Sequence, residues 1–174
     1  MNTEITIRQI KPEEATELAK FGADLFLETF AHHNNPQDMQ QYLSESFSSE
    51  KVQQELIDPN TYCFYATKNS IPIGCIKLIF HPVNASFTGI KSAELARLYV
   101  AKAYHNLKIG AALMQFALNF ASENKAQKLF LGVWEHNQKA IDFYHQWGFI
   151  KTGVLEFKLG NDLQHDWLME KQLS

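Results

Sequence analysis

Three blocks between Glu94 and Phe149 decide the fold: ELARLYV (94–100), YHNLKIGAAL (104–113) and WEHNQKAIDFYHQWGF (134–149). The first block has the pattern of a strand. The second is a turn that leads into a segment with apolar residues on one helical face, and the third contains the start of another helix. In chain order we expect a strand at 93–100, a helix at 109–123, a strand at 128–134 and a helix at 137–147. This alternation favours a sheet with local parallel pairing that is covered by helices.

The second block has the composition of an anion-binding turn. It follows a strand and opens an amphipathic helix, whose free backbone N–H groups and positive dipole end attract anions. Gly110 and Ala111 are small enough to let a pyrophosphate approach the backbone, and Lys102 and Lys108 add positive charge. The alternative is purely structural, because a strand–turn–helix connection also uses small residues at its turn.

The third block places two polar side chains on one helix face. Asn137 is positioned to cap the helix, and Tyr144 follows seven residues later, which is two helical turns. Ala140 lies between them, and its small side chain leaves room on that helix face, so both polar side chains can face one cleft. A phenol there can donate a proton to a leaving thiolate. The alternatives are a simple helix cap for Asn137 and a core aromatic for Tyr144.

The chain as a whole, 1–174, is expected to form one domain, because it has no repeat, low-complexity tract or Gly/Ser-rich linker. Pro12 followed by two acids, and Asn35 followed by Pro36, are typical helix starts. The other expected elements are a strand at 4–10, a helix from Pro12 to about Ala31, a helix from Asn35, a short helix at 49–57, strands at 61–67 and 71–80, a loop at 81–92, and strands near 149–158 and 163–172.

Composition is that of a globular protein: 45% of the 174 residues are hydrophobic and 20% are charged. No apolar run approaches the roughly 20 residues that cross a bilayer, and the N-terminus does not resemble a signal peptide. We therefore expect a cytoplasmic protein with no membrane partner. Cys63 and Cys75 lie in apolar runs, where buried hydrophobes are expected. His32 and His33 are adjacent and the histidines lack ligand spacing, so no metal is expected. No basic stripe favours nucleic acid.

Charge is distributed unevenly along the chain. Residues 1–60 carry four Lys and Arg against eleven Asp and Glu, a net charge of -7, whereas residues 61–174 carry a net charge of +4. One interpretation is ordinary solvated helix faces. The other is that a half that attracts cations is joined to a half that attracts anions.

With these motifs the chain resembles the GNAT superfamily of N-acetyltransferases. The family pattern N-x-x-A-x-x-F-Y…G-F is matched at Asn137, Ala140, Phe143, Tyr144, Gly148 and Phe149. The family's acetyl-CoA turn follows Q/R-x-x-G-x-G/A; here His105 stands at the Gln/Arg position and Lys108 at the first glycine. Lys108 is free of strain there only if its φ is negative. The resemblance implies an α/β (α+β) fold with a mixed, mostly antiparallel central sheet, flanking helices, and a splayed parallel strand pair at the CoA site.

A narrower resemblance covers nearly the whole chain. It is to bacterial PaiA-like polyamine N-acetyltransferases, which are similar in acetylating spermidine and spermine. The matching segments are ETF at 28–30, N-P-x-x-M-x-x-YL at 35–43, RLYV at 97–100, LGVWEHN at 131–137 and a closing strand at 165–172. The resemblance implies transfer of an acetyl group from acetyl-CoA to a primary amine of a polyamine.

The family's mechanism is direct attack of a neutral amine on the acetyl thioester, and it implies roles for individual residues. Tyr144 would be the general acid, and Glu94, at the start of the strand before the turn, would be the base unless a water chain serves instead. The residues implied in holding acetyl-CoA are Leu98, Tyr99 and Val100 along the pantetheine, His105, Asn106, Leu107, Lys108, Ile109, Gly110 and Ala111 at the pyrophosphate, and Asn137, Lys139 and Tyr144 on the following helix.

The acceptor site is expected against the acidic first helices, which wall it in this family. The candidate acceptor-binding residues are Asp24, Glu28 and Tyr42, with Asp38 and Glu45 as further acids. Asp24 and Glu28 are four residues apart and share a helix face. Two other functions stay open: acetylation of a protein N-terminus or lysine, and acyl-CoA binding without catalysis. The family also implies a possible homodimer.

Overall fold

One sheet of seven strands organises the molecule. The computed structural model describes residues 4–83 and 89–174. The strands are β1 (Ile5–Gln9), β2 (Thr61–Lys68), β3 (Ile71–His81), β4 (Ser92–Val100), β5 (Lys128–Trp134), β6 (Ile150–Leu159) and β7 (Asp162–Gln172). Their order across the sheet is β1-β2-β3-β4-β5-β7-β6.

The sheet is antiparallel at every neighbouring pair except β4–β5, which is parallel. That pair is short: its register runs only from Ser92↔Lys128 to Glu94↔Phe130. Beyond Glu94, β4 continues to Val100 without β5 as a partner, so the two strands separate. The mixed, mostly antiparallel sheet and its single parallel pair confirm the expected fold.

Helices cover both faces of this sheet. They are α1 (Ala15–Phe30), α2 (Pro36–Ser46), α3 (Ser49–Ile57), α4 (Ile109–Glu123) and α5 (Gln138–Gln146). The largest apolar core packs α4 and Ile141 of α5 against the inward side chains of β3, β4 and β5. Two smaller cores pack α1 and α3 against β2 and β3, and α1 and α2 against the end of β6.

Side-chain caps begin α2 and α3, and the one at Asn35 is the cap that the sequence predicts. The backbone N–H of Gln37 donates to the Asn35 side chain at 2.8 Å at the start of α2. Ser48 accepts from Lys51 N at 3.2 Å to start α3. Each cap satisfies a backbone N–H that the helix cannot bond internally.

Two predicted boundaries differ from the structure. The helix expected from Pro12 starts with a single 3-10 turn, Pro12–Glu14, and α1 proper begins at Ala15, since the first turn of a helix often tightens to 3-10 geometry. The loop expected at 81–92 is flanked by β3, which ends at His81, and β4, which begins at Ser92. Positions 84–88 of that loop lie outside the described residues.

Both cysteines are buried and unpaired, as their apolar surroundings predict. Burial raises the pKa of the Cys63 thiol to about 11 and that of Cys75 to about 12. Both thiols are therefore neutral at physiological pH and serve as small core side chains. Within the described ranges, no helix combines the length and apolarity that crossing a bilayer requires.

A buried ion network joins α3 to the middle of the sheet. The Glu55 carboxylate accepts from Lys77 Nζ at 2.9 Å and from an Arg97 guanidinium nitrogen at 3.2 Å. The three side chains are only 10–12% exposed. Arg97 also stacks on the Phe47 ring, with its guanidinium carbon 4.3 Å from the ring centroid. One carboxylate thus compensates two cations removed from water.

Glu55→Gln tests this network. Removing its charge leaves Lys77 and Arg97 buried without a counter-ion, so the free energy of unfolding should fall by about 3 kcal/mol or more. Urea denaturation followed by circular dichroism measures the change. Glu45→Gln, at an exposed carboxylate of α2, is the control and should stay within about 0.5 kcal/mol of wild type. Equal effects of both substitutions would contradict the account.

Candidate active site

A cavity of about 520 Å³ opens where β4 and β5 separate. Its walls come from β4 and β5, the starts of α4 and α5, and the side chains of α1, α2, β6 and β7 that face them. An open crevice beyond the paired part of two parallel strands is a common place for a ligand site in α/β sheets. The cavity has two chemically different ends.

One wall is the backbone of β4. Leu98, Tyr99 and Val100 line the cavity, and each is paired to β3 on its other side. Among the described residues, the β5-facing side of this stretch has no strand paired to it. An extended ligand could therefore add to this edge as a further strand would.

The start of α4 forms one end of the cavity. Lys108, Gly110 and Ala111 line the cavity there. A Cβ placed on Gly110 would meet nothing closer than the Phe143 ring at 3.8 Å, so the backbone at this turn is open to a close approach. Since the first N–H groups of a helix lack internal partners, this wall suits a pyrophosphate.

His105 and Lys139 add polar groups beside that turn. The His105 Nε2–H donates to the Val100 carbonyl at 2.8 Å, and His105 Nδ1 lies 3.4 Å from Lys139 Nζ. Because Nε2 carries the hydrogen, Nδ1 presents a lone pair, and the Lys139 ammonium donates to it. Both line the cavity. Lys139 keeps N–H donors for a ligand there, whereas the N–H of His105 is used by Val100.

Three other residues predicted for this turn are placed differently. Asn106 and Leu107 are exposed and do not line the cavity. The Ile109 side chain is buried in the main core at 1% exposure. For these three, only the backbone groups remain available for the predicted contact with a pyrophosphate.

Lys108 adopts the left-handed conformation, with φ 56° and ψ 26°. Its φ is therefore positive, the case in which a side chain at this position carries strain. For a residue with a Cβ the left-handed region costs roughly 1–2 kcal/mol. The turn keeps the backbone geometry for which glycine is suited, although the sequence has lysine.

Asn137 and Tyr144 line the same cavity, as their spacing predicts. The Asn137 side chain accepts from Ala140 N at 3.3 Å and so caps α5. Tyr144 packs edge-on against Phe149, with ring centroids 5.9 Å apart. Burial raises the pKa of Tyr144 to about 12, so its hydroxyl is protonated across the neutral range and able to donate.

The acids chosen from sequence lie outside the lining of this cavity. The Glu94 carboxylate pairs with His81 Nε2 at 3.2 Å near the start of β4. Glu28 accepts from the backbone N–H of Lys102 at 3.1 Å, and Asp24 is exposed on the same helix. Asp38 accepts from Asn161 N at 2.9 Å. Hydrogen bonds to other segments of the chain, which sequence spacing does not reveal, occupy three of these four carboxylates.

Aromatic side chains enclose the other end of the cavity. Tyr42, the one predicted acceptor-binding residue in the lining, packs on Phe26 and Phe157 with centroid distances of 4.7 and 5.4 Å. Phe30 meets Trp134 edge-on at 6.3 Å. The negative faces of such rings favour an ammonium group.

Asp166 of β7 lies among these rings, and sequence reasoning missed it. Burial, reinforced by the charge of Glu135, raises the pKa of its carboxyl to about 6. Two signals were present in the sequence. Asp is depleted in strand interiors, and the glycine in KLFLGVW marks a place where β5 lacks a side chain.

Comparison with known proteins agrees with this geometry. The profile of the acetyltransferase (GNAT) family matches residues 23–149. The chain belongs to this family and is an acetyl-CoA-dependent N-acetyltransferase. The match runs from the middle of α1 to Phe149, the residue before β6. It therefore includes all residues that line the cavity except Phe157, Leu159, Gln164 and Asp166.

Relatives and solved structures extend the likeness to nearly the full chain. An uncharacterised N-acetyltransferase of Lactobacillus delbrueckii subsp. lactis is 28% identical over 98% of this chain and 99% of its own. One from Mycobacterium tuberculosis is 29% identical over 92% and 98%. The fold is that of the PaiA N-acetyltransferase of Thermoplasma acidophilum, solved with coenzyme A, at a TM-score of 0.81, 24% identity and coverage of 97% and 99%. Arabidopsis thaliana NAA60, solved with a bisubstrate analogue, has a similar fold at a TM-score of 0.77 and 17% identity. The match covers 98% of this chain and 99% of NAA60.

Lys108→Gly should remove the strain at the turn. Glycine adopts positive φ without a Cβ clash, so we expect the free energy of unfolding to rise by about 1 kcal/mol. Lys125→Gly is the matched control, since Lys125 also has positive φ, 65°, and lies after α4 away from the cavity. Thermal denaturation measures both.

Coenzyme A affinity separates the two positions. Both variants should gain similar stability, while only Lys108→Gly loses a cation from the site and binds coenzyme A more weakly in calorimetry. A loss of stability at position 108 together with a gain at 125 would show that the lysine makes contacts that outweigh the strain.

Proposed function

We propose that the protein transfers an acetyl group from acetyl-CoA to a primary amine of a polyamine such as spermidine or spermine. The observation that carries the proposal is the difference in charge between the two ends of the cavity at the β4–β5 separation. His105, Lys108, Lys139 and the free N–H groups at the start of α4 lie at one end. Aromatic rings and the Asp166 carboxylate lie at the other end, where the charge of Arg97 is compensated by Glu55. Such a cavity suits an anionic donor and a cationic acceptor that meet between them.

The donor end fits acetyl-CoA in its backbone and its charges. Leu98 to Val100 would pair with the pantetheine, the turn from His105 to Ala111 would take the pyrophosphate, and Asn137 and Lys139 would hold the arm that connects them. Acetyl-CoA supplies the activated acetyl group as a thioester. The positions of His105 beside Val100 and of Lys139 beside His105 support this arrangement.

Tyr144 is the proposed general acid. Its hydroxyl would give a proton to the sulfur as the thioester bond breaks. Its buried position and its raised pKa keep that proton in place until a stronger base forms beside it. Backbone N–H groups along the free edge of β4 would stabilise the charge that develops on the carbonyl oxygen.

Glu94 stays a candidate base that acts at a distance. Its carboxylate is held by His81 and about one third exposed, so a proton from the amine would reach it through water. Direct contact with an amine in the cavity is not part of this role, since Glu94 is absent from the lining.

The acidic first helices support the choice of a polyamine. Asp24 and Glu28 lie on the exposed side of α1, whose Phe26 and Thr29 line the cavity. An acceptor that extends from the cavity over α1 would place its distal ammonium groups near these carboxylates, with Tyr42 at the inner end. The net charge of -7 in residues 1–60 favours such a cation at longer range.

The whole chain, 1–174, would act as one catalytic domain, since its first and last strands belong to one sheet. It would work in the cytoplasm, where acetyl-CoA and polyamines meet, and it could pair as a homodimer. Neither a nucleic acid nor a membrane is needed for the reaction.

Release of free thiol from acetyl-CoA tests the function directly. The panel contains spermidine, spermine, butylamine, free amino acids and short peptides with a lysine. We expect the highest kcat/KM with the polyamines, because they present several ammonium groups to the acidic helix face and carry no carboxylate that the face would repel. Preference for the peptides would favour protein acetylation, and coenzyme A binding without turnover on any acceptor would favour a non-catalytic role.

Tyr144→Phe tests the general acid. We expect kcat to fall by about 10²- to 10⁴-fold, the usual range for a positioned acid, with the affinity for coenzyme A nearly unchanged. Tyr62→Phe is the control: this ring packs on Phe80 and Phe120 away from the cavity and should leave kcat at the wild-type value. Wild-type kcat in Tyr144→Phe would remove Tyr144 from the mechanism.

A further inference from the structure

We infer that Asp166 binds the reacting amine of the acceptor and takes its proton. This role rests on the proposed function and assigns to a cavity carboxylate what the sequence assigned to Glu94. Asp166 is the acidic residue among those that line the cavity.

Gly132 gives the Asp166 carboxylate its place. A Cβ built on Gly132 would lie 3.3 Å from Asp166 Oδ2 and 3.7 Å from its Cβ. The carboxylate therefore lies over the bare backbone of β5, in space that a larger residue would take. Gly132 is two residues past Phe130, the last β5 residue paired to β4. The carboxylate thus stands at the point where the two strands part and the cavity begins.

The surroundings of Asp166 favour a cation that can lose its charge. Trp134, directly opposite on β5, and Tyr42 and Phe157 contribute aromatic surface to the same cavity. Burial there disfavours both charged forms. It therefore raises the pKa of the carboxyl group and lowers the pKa of the ammonium group. Transfer of a proton between them becomes easier than in water.

The charges around Asp166 leave the carboxylate free to act. Glu135, in the turn after β5, is the charged group that raises the Asp166 pKa together with burial, and no cation or hydrogen bond among the described residues offsets them. Arg97 lines the cavity from β4 but is held by Glu55. The other titratable groups in the lining are Tyr42 of α2, Tyr99 of β4, His105, Lys108, and Lys139 and Tyr144 of α5.

The proton balance of the reaction is complete with these groups. Asp166 accepts one proton from the ammonium, and the freed nitrogen lone pair forms the C–N bond as the C–S bond breaks. Tyr144 protonates the departing sulfur. The nitrogen loses its second proton through water to the Tyr144 phenolate, and Asp166 returns its own proton to solvent. The products are the amide, coenzyme A thiol and one proton.

The pH dependence of kcat tests this assignment. With saturating spermidine and acetyl-CoA, kcat of the wild-type protein should fall on the acid side with an apparent pKa near 6, because protonated Asp166 cannot accept a proton. Asp166→Asn should lower kcat by about 10²-fold or more and flatten this acid limb. Asp166→Glu should retain the limb, since it keeps a carboxylate.

Glu94→Gln is the comparison that decides between the two acids. If Asp166 is the base, Glu94→Gln keeps the acid limb and Asp166→Asn loses it. The reverse result, or an acid limb that persists in Asp166→Asn at wild-type kcat, overturns the inference. A purely structural role for Asp166 would change stability and leave the limb in place.

Binding gives a readout that does not need turnover. Calorimetric titration of spermidine into the coenzyme A complex should show at least tenfold weaker binding to Asp166→Asn than to wild type. Equal affinities would overturn the role of Asp166 in binding the amine. If the wild-type protein releases no thiol with any amine, the proposed function is contradicted. The titration still tests whether Asp166 binds the amine, because it does not depend on turnover.

Discussion

The early end of the β4–β5 pairing is the constraint on which the rest of the site depends. Two parallel strands that stayed paired to their ends would close the sheet and leave no cavity. Here the register stops at Glu94↔Phe130. The pairing of β4 with β3 is also irregular, because Lys77 pairs with Arg97 and the next residue, Leu78, pairs with Leu95, so that Ala96 of β4 has no partner. A bulge of this kind bends and twists its strand. The unpaired edge of β4 and the room over β5 both follow from that separation.

The separation of β4 from β5 also places groups of different charge at the two ends of the cavity. On one side it exposes the start of α4, where backbone N–H groups and the positively charged Lys108 and Lys139 face the cavity. On the other side it exposes aromatic rings and Asp166. The same geometry therefore creates one end for an anion and one for a cation. The strain at Lys108 and the raised pKa of Asp166 both occur at these ends, as is common for functional sites.

Much of the fold could be read from local pattern. Caps such as Asn35 and Asn137, and the alternation of strands and helices after residue 93, are short-range signals, and the structure confirms the elements they predict. Within the site, Asn137 and Tyr144 could be related because helical periodicity alone brings residues seven apart to one face. Glu28 and Glu94 could be identified as acids but not placed, because their hydrogen bonds to Lys102 and His81 join different segments of the chain.

The sequence by itself determined the order of helices and strands, the turn before α4 and the family to which the chain belongs, since each depends on neighbouring residues. Only the tertiary structure decided which acid enters the cavity. Asp166 and Gly132 are 34 positions apart in the chain and meet because β7 returns antiparallel to β5. It also decided the sign of φ at Lys108, because the connection from β4 to α4 is set by packing on both sides of the turn. The physical reason is that both features depend on contacts between residues far apart in the chain, such as the pairing of β5 with β7. The pattern of a single sequence does not show which distant residues meet.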